Sequence, residues 1–371
     1  MEPRDFGKRS GLRVAPVSLG AMRLPKDTLE AVRLIRHAID AGLRYIDTSR
    51  GYDDSEYKLA LALRDGYRER VILSTKWSPW NLRVQPGDDA SADAVRRRIE
   101  EQLARLQVEH LDFYQVWNVD SVEHLDEITA PAGTVDGIRR AMREGLVKHT
   151  GMTVHMKPEE IIPRLSALDW CEAILCSFHM ANRRYRPVLE AAHKLGIATI
   201  VMNPMGGGSL TQPSPVLARL AGEMGVASVP DLAIRYVLSQ PCIDTLLCGA
   251  EKPADVDDTV ASAERGPFSA EALGRLEAFL DGLLPQNVRF CTECGYCLPC
   301  PQGIDIPDLM SLIYKERFWG FGQTARRSYQ RLSGPKADAC VACGECEARC
   351  TQKLPIAEEM AYAARVLGGK T

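Results

Sequence analysis

Along its first 285 residues the chain alternates two apolar patterns. Short apolar runs recur at Val17–Leu19, Tyr45–Asp47, Val71–Lys76, Leu111–Val116, His149–Thr153, Ala173–Ser177, Ala198–Met202 and Thr245–Leu247, and their length and content predict buried strands. Between them lie windows whose apolar residues return at i, i+3 and i+4. Leu29–Ala41, Ala92–Leu106, Gly133–Glu144 and Pro230–Leu238 are examples, each predicting a helix with one face turned inward. Eight such strand–helix units over roughly 250 residues predict a (β/α)8 TIM barrel, so the fold class is α/β. An open doubly wound sheet is the alternative, but no G-x-G-x-x-G follows the first strand.

Past residue 285 the pattern changes, and residues 286–371 are expected to form a second, small and mainly α-helical domain. Helices are predicted over Ile306–Trp319 and Gln323–Leu332. The cysteines mark the same boundary: of twelve, only Cys171, Cys176, Cys242 and Cys248 precede it, and all four sit in apolar contexts suited to buried thiols. The remaining eight form two runs, Cys291, Cys294, Cys297, Cys300 and Cys340, Cys343, Cys346, Cys350. The opening stretch MEPRDFGKRSGLRVAPVSLG has no apolar secretory core, so a reducing, cytoplasmic setting is expected and disulfides are not.

Thiolates two residues apart in a tight loop can hold three corners of one [4Fe–4S] cubane, and a remote thiolate must close it. In two-cluster ferredoxins the last Cys of each run serves the other cluster. That pattern assigns Cys291, Cys294, Cys297 and Cys350 to one cluster, and Cys340, Cys343, Cys346 and Cys300 to the other. Zinc ribbons use separated Cys pairs and fit this spacing poorly. Clusters of this kind pass single electrons, which calls for a redox partner protein, or they pin the tail as structural elements.

Composition narrows the partners further. Apolar content of 45%, charged content of 26% and a net charge of −3 describe a globular chain without a basic field for nucleic acid or an anionic membrane. No stretch approaches the roughly 18 apolar residues of a spanning helix. A small-molecule substrate remains. In a barrel the chemistry sits where strands end, and here Asp47 ends the second strand, Tyr52 follows in its loop, and Lys76 ends the third. An ammonium beside a phenol lowers the phenol's pKa, and a carboxylate keeps that ammonium charged, so Tyr52 is expected to serve as acid or base.

The segments YIDTSRGY, LSTKW, QLARLQVEHLDFYQV, REGLVKHTGMT, MNPMGGGSL and LLCGAEKPADVDDT, between about Pro16 and Ala263, resemble the aldo-keto reductases. CTECGYCLPCPQGIDIP followed by CVACGECEARC resembles the iron–sulfur branch of that superfamily. The resemblance implies an oxidoreductase of a carbonyl or hydroxyl compound that takes its hydride from NADPH or NADH, with Asp47, Tyr52 and Lys76 in the roles just argued.

The resemblance also locates departures. Trp117 stands where the family places a catalytic His, and an indole donates a hydrogen bond but passes on no proton. His155 and His179, in neighbouring loops, are candidate substitutes. With Trp77, Trp117 and Asn118 they make the expected substrate pocket, and Trp80 beyond Pro79 is a further candidate. Thr153 and Val154 replace a Ser-Asn pair that holds the carboxamide, Phe178 falls near the ring that stacks on nicotinamide, and Asn203 takes a place often basic. Glu251, Asp255 and Thr259 align with positions that face the adenosine. Gly206, Gly207, Gly208, Gly249 and Lys252 suit a phosphate cradle, whereas an acid beside a 2′-phosphate repels it. A redox-neutral lyase, dehydratase or epimerase on a barrel that no longer binds nucleotide is therefore the alternative, and an electron-transfer protein without barrel chemistry is a third. The Arg96–Arg98 run is expected on a solvated helix face.

Overall fold

A computed structural model of the chain describes residues 1–77, 89–283, 291, 297–350 and 354–369. They divide into two compact units, one of residues 1–206 with 233–268, the other of residues 207–232 with 269–371.

The first unit contains a closed barrel of eight parallel strands. They are β1 (Val17–Gly20), β2 (Tyr45–Asp47), β3 (Ile72–Trp77), β4 (Leu111–Val119), β5 (Val147–Val154), β6 (Ala173–Ser177), β7 (Ala198–Met202) and β8 (Thr245–Cys248). Closure is made by β8, which pairs with β7 on one side and sets Leu246 opposite Val17 of β1 on the other. Short apolar runs succeed as strands here because the strands are covered on both faces, so nearly every position is buried. β4 is the longest of them. It runs past Val116 through a register shift at Trp117–Asn118, and Asn118 takes a left-handed backbone (φ 64°).

The N-terminal end of the barrel is stoppered. Strands at Arg4–Asp5 and Arg13–Val14 form a hairpin, and Phe6 between them packs at 5.3 Å from Tyr45 and 5.4 Å from Phe113. Gly7 makes the approach possible, because a Cβ there would lie 2.5 Å from the Ala198 nitrogen. Chemistry is thereby left to the opposite end, where the strands finish.

The surrounding helices follow the periodic windows. α1 (Thr28–Asp40) starts where Asp27 accepts the Glu30 amide at 2.9 Å and buries Ala31, Leu34, Ile35, Ala38 and Ile39. α2 is Ser55–Ala62, α3 is Ala92–Leu106, α4 is Val122–Thr129 and α5 is Thr134–Arg143. α3 and α5 touch at Gly137, whose hydrogen faces Val95 so closely that a Cβ would sit 2.3 Å from Val95 Cγ1. The Arg96–Arg98 run is not simply a solvated face: Arg96 pairs with Glu100 and with Glu144 just beyond α5, and Arg98 with Glu101. Cys171, Cys176, Cys242 and Cys248 are buried as expected, and burial pushes Cys171 and Cys248 up to about 12.

In the second unit, α6 (Ile306–Arg317) begins at Asp305, which accepts the Asp308 amide, and Pro307 occupies its first turn. α7 (Gly322–Arg331) and α8 (Ile356–Val366) complete a core of Ile306, Leu309, Met310, Ile313, Ala325, Tyr329, Ile356, Met360 and Ala363. Arg317 grips Glu359 with two bonds of 2.9 Å and so ties α6 to α8. The unit also takes in residues 207–232, because Ser214 donates to the Trp319 carbonyl at 2.8 Å and Gly320 packs against Ser214 and Pro215. The expected cut at 285 thus falls inside a unit that recruits an earlier segment. No helix among the described residues is long and apolar enough to cross a membrane.

Candidate functional site

Strand pairing brings the expected acid–base group together. β2 and β3 lie side by side, with Asp47 opposite Ser74, so Lys76 two residues on projects beside the Asp47 carboxylate. The Lys76 ammonium is ion-paired to Asp47 and donates to the Thr48 carbonyl at 2.9 Å; the two side chains are 1% and 4% exposed. It also lies 4.8 Å from the centre of the Tyr52 ring, near enough for its charge to act on the phenol. Burial works against the lysine's charge, but Asp47 and Tyr52 outweigh it and hold the ammonium above the ordinary lysine value. For Tyr52 the balance differs from the expectation. Lys76 does pull the phenol down, yet burial is the larger influence and Tyr52 ends above the usual tyrosine value.

Two supports of this group carry no motif. Gln115 of β4 points its amide nitrogen at the Asp47 carboxylate (3.2 Å), the Tyr45 hydroxyl (3.2 Å) and the Ser74 hydroxyl (2.8 Å). Behind the loop, Glu56 of α2 is wholly buried and accepts from Thr75 and Gln102, each at 2.8 Å, with Arg105 of α3 3.0 Å from its other oxygen. Thr75 adjoins Lys76 and Glu56 sits one turn beyond Tyr52, so the network clamps the Tyr52 loop to β3. Gln115 was visible only as a polar residue inside an apolar strand, Glu56 lies in the polar run DDSEYK and gave no signal, and barrel closure names the partners of both.

The pocket candidates separate. Trp117 is half-buried with its ring 5.7 Å from that of Tyr52, edge to face, and the bulge that carries it also turns Asn118 toward Asp120. His155 is exposed at the same rim, its amide bonded to the Val119 carbonyl. His179 is half-buried, takes the Ala181 amide on Nδ1 at 3.3 Å, and lies under Gly206, where a Cβ would be 3.3 Å from its ring. Trp77 is buried at the end of β3, and Trp80 lies outside the described residues.

The nucleotide candidates give a mixed result. Thr153, one residue before the end of β5, has its hydroxyl fully buried and without a hydrogen-bond partner among the described residues; a carboxamide would supply one. Phe178 does not offer a free face: it is fully buried and stacks on Tyr236 at 5.8 Å. Asn203 is left-handed (φ 56°) and its carbonyl takes the Gly206 amide at 2.8 Å, beginning a turn that Gly206, Gly207 and Gly208 continue with positive φ. A Cβ at Gly249 would meet only the Gly20 carbonyl, at 4.0 Å. The helix that follows, α9 (Pro253–Glu264), is closed by its own acid: Asp255 accepts the amides of Glu251 and Lys252 at 2.9 and 3.2 Å. Thr153 thus leaves a polar group that a nicotinamide carboxamide could satisfy, whereas the amides at the start of α9 are already taken by Asp255.

Four cysteines of the predicted second set, Cys300, Cys340, Cys343 and Cys346, line one cavity together with Ile304, Ile356 and Met360. A pocket of four thiols in a mainly apolar wall suits an iron–sulfur cubane. From the first set, Cys297 and Cys350 are buried in the same core, with Cys291 packed against it and its amide held by the Tyr314 hydroxyl at 2.9 Å. Cys294 lies outside the described residues.

Residues 16–281 match the aldo/keto reductase family, and residues 290–355 match a 4Fe-4S dicluster domain. The chain is similar to a 6-dehydroglucose reductase of Novosphingobium aromaticivorans, at 30% identity over 227 residues that cover 57% of this chain and 71% of that protein. It is similar to an L-galactose dehydrogenase of Arabidopsis thaliana at 27% identity, covering 76% and 95% of the two chains. Its fold is that of the aldo-keto reductase AKR11C1 from Bacillus halodurans in its holo form, with a TM-score of 0.66 at 23% identity over 75% of this chain and 96% of that one. With the closed barrel and the paired Asp47 and Lys76 beside Tyr52 already in place, the chain belongs to the aldo/keto reductase family and joins that barrel to a 4Fe–4S domain.

Proposed function

We propose that the barrel interconverts a carbonyl and a hydroxyl on a small polyhydroxy substrate, with Tyr52 as the acid–base residue. The observation that carries this is the buried Lys76 ammonium, ion-paired to Asp47 and in contact with the Tyr52 ring. A bound nicotinamide would supply or take up the hydride. Tyr52 holds the proton at its phenolic oxygen, gives it to the carbonyl oxygen in reduction and takes it back in oxidation. Lys76 stabilises the phenolate left behind, and Asp47 keeps Lys76 charged and aimed. Trp117 lies against Tyr52, limits water there and can donate a hydrogen bond to the substrate oxygen, but it moves no proton. The sugars in the names of the two relatives support a polyhydroxy substrate.

Thr153 would hold the carboxamide, and Glu251 with the self-closed α9 favours NAD(H) over the 2′-phosphorylated form. In the second unit, Cys300, Cys340, Cys343 and Cys346 would hold one [4Fe–4S] cluster, and Cys291, Cys294, Cys297 and Cys350 the other. Anaerobic titration with NADH and NADPH, read by tryptophan fluorescence, tests the nucleotide assignment. Tighter binding of NADH supports it, and preference for NADPH overturns it. Binding of neither would shift the case to the redox-neutral alternative, which the closed α9 end also favours.

A further inference from the structure

The cavity bounded by Cys300, Cys340, Cys343 and Cys346 is open at one lip. Cys343 is exposed, Val341 beside it is 63% exposed, and Pro301, Gln302 and Ala342 on the same border face water as well. A single exposed valine is ordinary. Here the loop is held in the shape that presents it: Ala342 sits in the left-handed region (φ 51°), a conformation that disfavours a side chain, and Gly344 follows at φ 78°.

Among the described residues, acids outnumber bases around this lip. Asp305, Asp338, Glu345 and Glu358 are exposed, and each lies within two positions of a residue that lines the cavity. The two described basic residues in the same segments are engaged. Arg349 bonds Glu345 at 3.0 Å and the Pro299 carbonyl at 3.3 Å, and Lys336 bonds the Gln330 carbonyl at 2.8 Å with its ammonium over the Tyr329 ring. A surface with an apolar centre, an acidic surround and a redox centre just beneath is complementary to a carrier with the opposite charge arrangement.

We propose that this lip is the docking surface for a small one-electron carrier protein with an apolar centre and a basic rim, and that the cluster held by these four cysteines is the port through which electrons pass. The proposal rests on the reading that the four thiolates hold a [4Fe–4S] cluster. One electron crosses per encounter, the cluster changes by one oxidation level and the carrier by one in the opposite sense, and no bond forms or breaks.

The test uses the holoprotein, prepared without oxygen and reduced with dithionite. It is mixed by stopped flow with ferric cytochrome c, a basic haem protein, and separately with the same cytochrome after succinylation of its lysines. Cytochrome reduction should slow at least about tenfold between about 10 mM and about 0.5 M salt, and the succinylated form should be slower at low salt. V341S and E358K should each slow the basic carrier by about threefold or more while iron content and the cluster's EPR signal stay unchanged. Equal rates for both carriers, a salt-independent rate, or variants that match the parent would overturn the docking surface. A self-associated chain that V341E turns into a monomer would assign the lip to a second copy and also overturn it. Failure of the underlying cluster reading shows separately, as missing iron and a missing EPR signal before any carrier is added.

Discussion

Lys76 keeps a positive charge inside the barrel, where burial alone would favour the neutral amine. Asp47 makes that possible, and Gln115 in turn satisfies the second oxygen of Asp47. Gln115→Leu should therefore cost about 1–3 kcal/mol, because it strips a donor from a buried carboxylate; chemical denaturation measures it. The pH dependence of carbonyl reduction follows from Tyr52. Its protonated form is the active one, so the rate is flat at low pH and falls as pH rises through the phenol's pKa. Burial has lifted that pKa above the ordinary value of about 10, which places the fall above pH 10. Lys76→Met removes the charge that opposes the lift, so the rate should drop and the alkaline limb should move higher. A limb that moves lower in a pH–rate profile contradicts this ordering of influences.

Among elements, α3 and α5 meet through a contact that admits only a hydrogen at Gly137. Gly137→Ala is expected to destabilise the barrel by about 1–3 kcal/mol despite alanine's better helix propensity, and thermal unfolding would show it. The strands and helices were legible because each carries its own period, and α6 announced its start through Asp305 and Pro307. The extension of β4 to Val119 was not legible. Its bulge is fixed by pairing to β5, and nothing in Trp117–Asn118 itself specifies a left-handed residue. Asp47, Tyr52 and Lys76 could be found from strand ends, whereas Gln115 and Glu56 could not, since their partners come from other strands and helices. Phe178 was legible as an aromatic near the site, but its stacking on Tyr236 depends on packing that no local pattern encodes.

For the whole molecule, the two cysteine runs are separated by α6 and α7 yet converge, with Cys300 of the first run lining the cavity made by three cysteines of the second. The loaded chain should contain about eight iron atoms, and Cys340→Ser about four, by elemental analysis. Removing iron with a chelator should lower the unfolding temperature of the second unit, because the thiolates then lose the centre that gathers their loops. The expected boundary at 285 does not match the units, because residues 207–232 lie early in the sequence but pack with Trp319 and Gly320, and residues 269–283 belong to the same unit. The central claim is that chemistry in the barrel passes through Tyr52, and one comparison tests it most directly. The parent protein and Tyr52→Phe are assayed anaerobically for NADH-dependent reduction of a panel of aldoses and dialdehyde sugars, with NADH binding followed in parallel. The account predicts a loss of about 100-fold or more in turnover with NADH affinity unchanged. Full turnover by the phenylalanine variant would contradict it.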